Sequence, residues 1–194
     1  LYVQMISDFI KHVVHEPVDV IATGASAPLV AMTATSSQEL IDKMIFVNPQ
    51  SLHELAKIPS KRSKLLYHFI NMPLLGTFLY NILFCRRRIA AKSEEAFFDP
   101  AQIDELMVNT YYESAHLDHM HSRYLFASIR GNYTNVNLAP FLSRITHSIF
   151  IITGAENPLF NENASQYQKY LPSIEIVSMG ETKAYPHIEK PEEF

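Results

Sequence analysis

The residues with the clearest chemical content are Gly24-Ala25-Ser26-Ala27-Pro28, a serine among small neighbours directly after the β-branched run Val18-Asp19-Val20-Ile21-Ala22-Thr23. A strand that ends in Gly-x-Ser and turns at once into a helix holds the hydroxyl on a tight corner at the carboxyl edge of a sheet, where it can serve as a nucleophile. Gly24 and Ala25 permit the turn, and Ala27 permits close approach of the helix. The backbone N–H of Ala27 can face a developing oxyanion. Pro28 stands where such a motif usually has a second glycine, and proline is tolerated in the first turn of a helix. The same residues also read as a serine N-cap, and local sequence leaves both readings open.

Three other groups could carry chemistry. His116, Asp118, His119 and His121 offer imidazole and carboxylate, but without diagnostic spacing or a remote fourth ligand a polar turn is expected, with no metal and no cofactor. Arg86-Arg87-Arg88 could grip a phosphate or an anionic membrane surface, yet cations that close a helix are favoured by its dipole, so a solvated helix end is expected. Tyr111, Tyr112, Tyr124, Phe126 and Tyr133 could line an acyl pocket or pack as ordinary core.

The elements that must position these groups follow from periodicity. Val3, Ile6, Ile10 and Val13 recur at helical spacing before Glu16-Pro17, a buried strand runs from Val18 to Thr23, and Pro28 to Thr35 is helical again. Residues 42–49 form a second short apolar strand stopped by Pro49. Helix, strand, helix, strand implies a parallel sheet. Residues 50–140 then become long apolar and aromatic helical stretches broken at Pro59, Pro73, Gly76 and Pro100, with no convincing strand. Strands return at Ser148–Gly154 and at 174–177, with a helix from Asn161 to Tyr170 between them. Leu65–Cys85 is long enough to raise a membrane span, but His68, Asn71, Pro73, Gly76 and Asn81 interrupt it, so two helices joined at Pro73-Leu74-Leu75-Gly76 are expected instead.

Taken in order, the elbow motif, Ile151-Ile152-Thr153-Gly154-Ala155-Glu156-Asn157-Pro158 and the tail Tyr185-Pro186-His187-Ile188-Glu189-Lys190-Pro191-Glu192-Glu193-Phe194 resemble the α/β-hydrolase superfamily. Val47-Asn48-Pro49, Leu75-Gly76-Thr77-Phe78-Leu79-Tyr80-Asn81 and Phe126-Ala127-Ser128-Ile129 are similar to a bacterial, uncharacterised branch of it. The resemblance implies a parallel sheet with a helical cap insertion: residues 1–49 and 141–194 as the core and residues 50–140 as the cap. It implies Ser26 as nucleophile, with the Ala27 N–H in the oxyanion hole. At the acid position stands Asn157, with Glu156 beside it, and at the base position stands Ala184. Glu156 as acid and His187 as base are therefore the substitutes expected of a serine hydrolase acting on small or medium apolar esters. A base from the cap, such as His116, is a second possibility, and a binding or interaction protein without hydrolysis is a third.

Bulk properties narrow the partners. Of 194 residues, 47% are apolar and 19% charged, enough to bury a core, so a disordered chain is excluded. A net charge of −4 offers no general attraction for nucleic acid, which leaves small molecules as the expected ligands, and the resemblance implies apolar ones. The single cysteine, Cys85, cannot form an internal disulfide and fits a reducing, cytoplasmic compartment. Because the sequence opens at the helix before the nucleophile strand, the first strands of such a fold are expected to be missing. The sheet would then have about four strands and an open edge through which the chain could self-associate.

Overall fold

The computed structural model describes the backbone of all 194 residues and every side chain except those of residues 118–120. The histidine-rich segment expected as a polar turn is instead helical up to Met120, and the side chains of Asp118 and His119 lie outside the described ones. The chain divides into two compact units, Leu1–Ala56 with Val136–Phe194, and Lys57–Asn135.

The first unit contains α1 (Tyr2–Phe9), β1 (Val18–Thr23), α2 (Ala27–Ser36), β2 (Ile41–Val47) and α3 (Leu52–Leu55). The second is helical throughout: α4 (Lys61–Asn71), α5 (Leu75–Leu83), α6 (Arg86–Ala96), α7 (Glu105–Met120) and α8 (Ser122–Arg130). The chain then returns to the first unit with α9 (Ala139–Leu142), β3 (Ser148–Gly154), α10 (Pro158–Tyr170), β4 (Glu175–Met179) and α11 (Pro186–Glu189).

All four strands are parallel, in the order β1-β2-β3-β4. Parallel neighbours require crossover connections, and the helices that make them place α2, α9 and α10 over one face of the sheet. That face is dry: Ala22, Met44, Phe46, Ile149 and Ile151 pack against Val30, Ala31 and Ala34 of α2 and Ala164 and Tyr167 of α10. Tyr167 is fully buried, meets Phe46 edge-on at 6.4 Å and satisfies its hydroxyl by donating to Gln50 O at 2.8 Å. Burial also raises its phenol above the ordinary value. The opposite face remains partly open, with Ile21 56% and Val177 51% exposed.

In the helical unit, α4 opens with a capping box between Ser60 and Ser63. Its carboxyl end is held by Arg123, only 6% exposed, which donates to Ile70 O at 3.1 Å and Met72 O at 2.8 Å. Phe126 packs edge-on against Tyr80 and Phe84, and Tyr133 lies against Tyr67 at 4.7 Å. These aromatics are packing residues of this unit. No helix among the described residues is long and apolar enough to cross a membrane, and α4 and α5 are separate helices on either side of Pro73.

The arginine run differs from its expected place. Arg86, Arg87 and Arg88 open α6 instead of closing α5, which already ends at Leu83. Cys85 breaks the helical path with an extended ψ of 151°, and so restarts the count before the arginines.

Candidate functional site

The carboxyl ends of β1, β3 and β4 bring the sequence candidates to one edge of the sheet, the side on which ligands of open α/β sheets bind. β1 and β4 are separated by two strands, so at about 4.8 Å per strand their ends stand about 14 Å apart. Groups following them can meet only through the reach of their loops.

After β1 the chain turns at Gly24, whose φ of +51° is left-handed and strained for any residue with a Cβ. A short 3-10 turn, Gly24–Ser26, then runs into α2. Because Gly24 absorbs the reversal, Ser26 enters the helix with ordinary φ and ψ of −82° and −24°. The strained corner expected at the serine is therefore two residues earlier. Ser26 is exposed and its Oγ donates to Thr23 O at 2.8 Å. It caps none of the α2 N–H groups, so the hydrogen bond expected of a serine N-cap is not formed. Ala27, fully buried, begins α2 and places its N–H beside Ser26.

After β3, Asn157 caps α10 by accepting from Leu159 N at 3.2 Å. Glu156 accepts from Glu181 N at 3.2 Å, and its own N–H donates to Thr182 O at 3.1 Å, so it fastens the turn after β4. That turn takes a left-handed φ of 56° at Glu181.

After β4, residues 183–185 are held from both sides. Asn48 Nδ2 donates to Lys183 O and Ala184 O, both at 2.9 Å, while its Oδ1 accepts from Gly154 N at 3.0 Å. Glu189 is 6% exposed and accepts from Lys183 N at 2.9 Å and Tyr185 N at 3.2 Å. Sequence reasoning missed Asn48 and Glu189. The signal for Asn48 was an Asn-Pro pair closing a strand, where asparagine tolerates the left-handed φ of 44° found there; Glu189 is one of three glutamates in a charged tail, and nothing in the sequence singled it out.

His187 lies on α11 between Tyr185 and Phe194, with ring centroids 6.2 and 5.8 Å away. Its Nδ1 is buried without a partner. Burial pushes the imidazole below its ordinary 6.5, and the nearby Glu189 carboxylate offsets this only partly. No hydrogen bond joins Ser26, Glu156 and His187 to one another among the described residues. His116 has both ring nitrogens engaged inside the helical unit, with Tyr112 O at 2.8 Å and Asn81 Oδ1 at 3.1 Å. No group of metal-ligating side chains forms among the described residues.

The lowered His187 value sets a direction with pH. The unfolded chain takes up the proton at a higher pH than the folded one, so stability present above 6.5 falls as pH drops through and below that value. His187→Gln should flatten this part of the stability profile in urea melts taken across that range. An unchanged slope would show that His187 is not the group responsible.

Two cavities border this unit. One of about 590 Å³ is lined by Gln50, Ser51, His53, Glu162, Asn163 and Gln166 among others, and its neighbour of about 720 Å³ includes Lys169 and Tyr170. Their walls mix polar side chains with apolar ones such as Leu52, Ala139, Pro140 and Leu159.

No family model matches the chain, and no curated protein matches it in sequence. Solved structures do. A serine hydrolase from the polyaromatic-hydrocarbon-degrading bacterium Cycloclasticus zankles superposes with a TM-score of 0.71 at 14% identity, over 99% of this chain and 66% of that one. A serine hydrolase involved in carbazole degradation gives 0.73 at 14% identity, over 99% and 66%. The meta-cleavage product hydrolase of Pseudomonas fluorescens gives 0.73 at 12% identity, again over 99% and 66%. The chain thus spans just under two thirds of the length of these structures. The parallel sheet, its order and these superpositions together show that the chain has the α/β-hydrolase fold.

Proposed function

We propose that this protein is a ligand-binding member of the α/β-hydrolase fold that does not hydrolyse through a serine triad. The observation that carries this reading is the mount after β4. Asn48 and Glu189 fix the backbone of residues 183–185 from both sides, and the side chain presented there, Ala184, can neither take nor give a proton. Glu156 and Asn157 support it, since both already serve backbone N–H groups. A serine without a base retains only the residual catalysis of binding and oxyanion contacts. The ligand class is small or medium apolar acyl compounds, the chemistry to which the sequence resemblance points. The open β1 edge makes self-association part of the same proposal.

A second reading is favoured by His187, whose burial keeps the ring neutral at neutral pH and whose Nδ1 has no partner. In that reading the protein is a serine hydrolase of apolar esters: Ser26 attacks, the Ala27 N–H holds the oxyanion, His187 is the base and Glu156 the acid. The structures it superposes on are, by name, hydrolases.

A fluorophosphonate probe on the full chain separates the two. The binding reading expects no labelling of Ser26. Labelling that disappears in both Ser26→Ala and His187→Ala would overturn it in favour of the hydrolase.

A further inference from the structure

We infer that the α5–α6 surface of the helical unit is a peripheral docking surface for an anionic phospholipid bilayer. α5 is apolar on two sides. Its inward side is Gly76 and Tyr80, both buried, with Tyr80 stacked on Phe84 at 4.4 Å and donating to Ala115 O. Its outward side, together with the turn before it, carries Leu74 at 85% exposure, Leu75 at 53%, Phe78 at 66% and Ile82 at 38%. Positions 75, 78 and 82 recur as i, i+3 and i+7, so they form one stripe. A helix whose second apolar stripe faces solvent has a partner outside itself.

Charge identifies the partner. Phe78 and Ile82 share a groove of about 590 Å³ with Cys85, Arg87, Arg88 and Ala91, and no carboxylate lines it. Three arginines in the first turn of α6 oppose the helix dipole, so folding alone does not favour them there. Arg86 has a structural use: it donates to Asn109 at 2.9 Å and stacks over Tyr112. The guanidinium groups of Arg87 and Arg88 have no ion pair or hydrogen bond among the described residues. Arg87 also borders a separate depression containing Glu94, Asp104 and Glu105, so Arg88 is the less compensated of the two.

Apolar anchors beside free guanidinium groups match the boundary between acyl chains and phosphate headgroups. A single small amphiphile in the groove would leave Leu74 in water, whereas a bilayer surface can take in the whole tip. Neither α5 nor any other described helix is long and apolar enough to cross, so the contact is a lying one.

The test is co-sedimentation of the full chain with phosphatidylcholine vesicles, with and without phosphatidylglycerol, at low and high salt. Binding is expected only with phosphatidylglycerol and should weaken as salt rises. Each arginine contributes about fivefold, so R87Q/R88Q should weaken binding about 25-fold. L75S/F78S should abolish it while circular dichroism stays unchanged, since both side chains are exposed. Absence of binding, equal binding to neutral vesicles, or binding that survives both double variants would overturn the proposal. So would a concentration-dependent dimer that L75S/F78S dissociates and that shows no vesicle binding, since this would make the face a contact between copies.

Discussion

Gly154→Ala is expected to destabilise the protein by about 3 kcal/mol or more, read as a lower urea midpoint at unchanged slope. The reason is a contact with backbone, which cannot swing aside. A Cβ built on Gly154 would sit 1.9 Å from Lys183 O and 2.6 Å from Lys183 C. To admit it, either the end of β3 or the loop after β4 must shift, and that loop is tied to Asn48 and Glu189. Gly180→Ala is the control: nothing lies within 4 Å of its added Cβ, so its effect should stay under about 1 kcal/mol. Equal effects at the two positions would show that the close approach at Gly154 is not what holds the loop.

Asn48→Asp should have an effect of similar size, about 3 kcal/mol, although it changes one atom. Asn48 is 8% exposed and its amide donates to two carbonyls while its oxygen accepts from Gly154 N. The carboxylate would keep the acceptor and turn a second acceptor toward the two carbonyls. Asn48→Gly keeps the left-handed backbone and merely removes the bonds, so it should be less damaging than the aspartate. Thermal melts of the two variants decide this: if glycine proves the worse, the lost packing of the amide outweighs its polarity.

The strands were legible where burial is two-sided and the ends are marked. Ser148–Gly154 is a continuous apolar run between a polar residue and a glycine, and β3 has those bounds. β2 ends at Val47 instead of reaching Pro49, because Asn48 leaves the extended region to make its three bonds. β4 runs to Met179, beyond the apolar stretch at 174–177, because pairing with β3 carries polar Ser178 along. The start of α6 was hidden because Cys85 supplies no capping side chain, and a helix end without a cap leaves no mark in composition.

The site was legible by position and less so by use. Ser26, Glu156 and His187 do follow β1, β3 and β4. Ser26 bonds three residues back and Glu156 twenty-five residues on, whereas the loop that carries Ala184 is fixed by Asn48, 136 residues away, and periodicity carries no information at that distance. The turn at Gly24 shows the same limit at short range, since a glycine two positions before a serine can either strain that serine or relieve it.

The three-way clasp at Asn48 also bears on how this edge comes apart. The N–H groups of Gly154, Lys183 and Tyr185 are each tied into the network of Asn48 and Glu189. None can be freed without loosening the others, so their amides should exchange with solvent in a single shared opening event, and the rims of β2, β3 and β4 behave as one cooperative hinge.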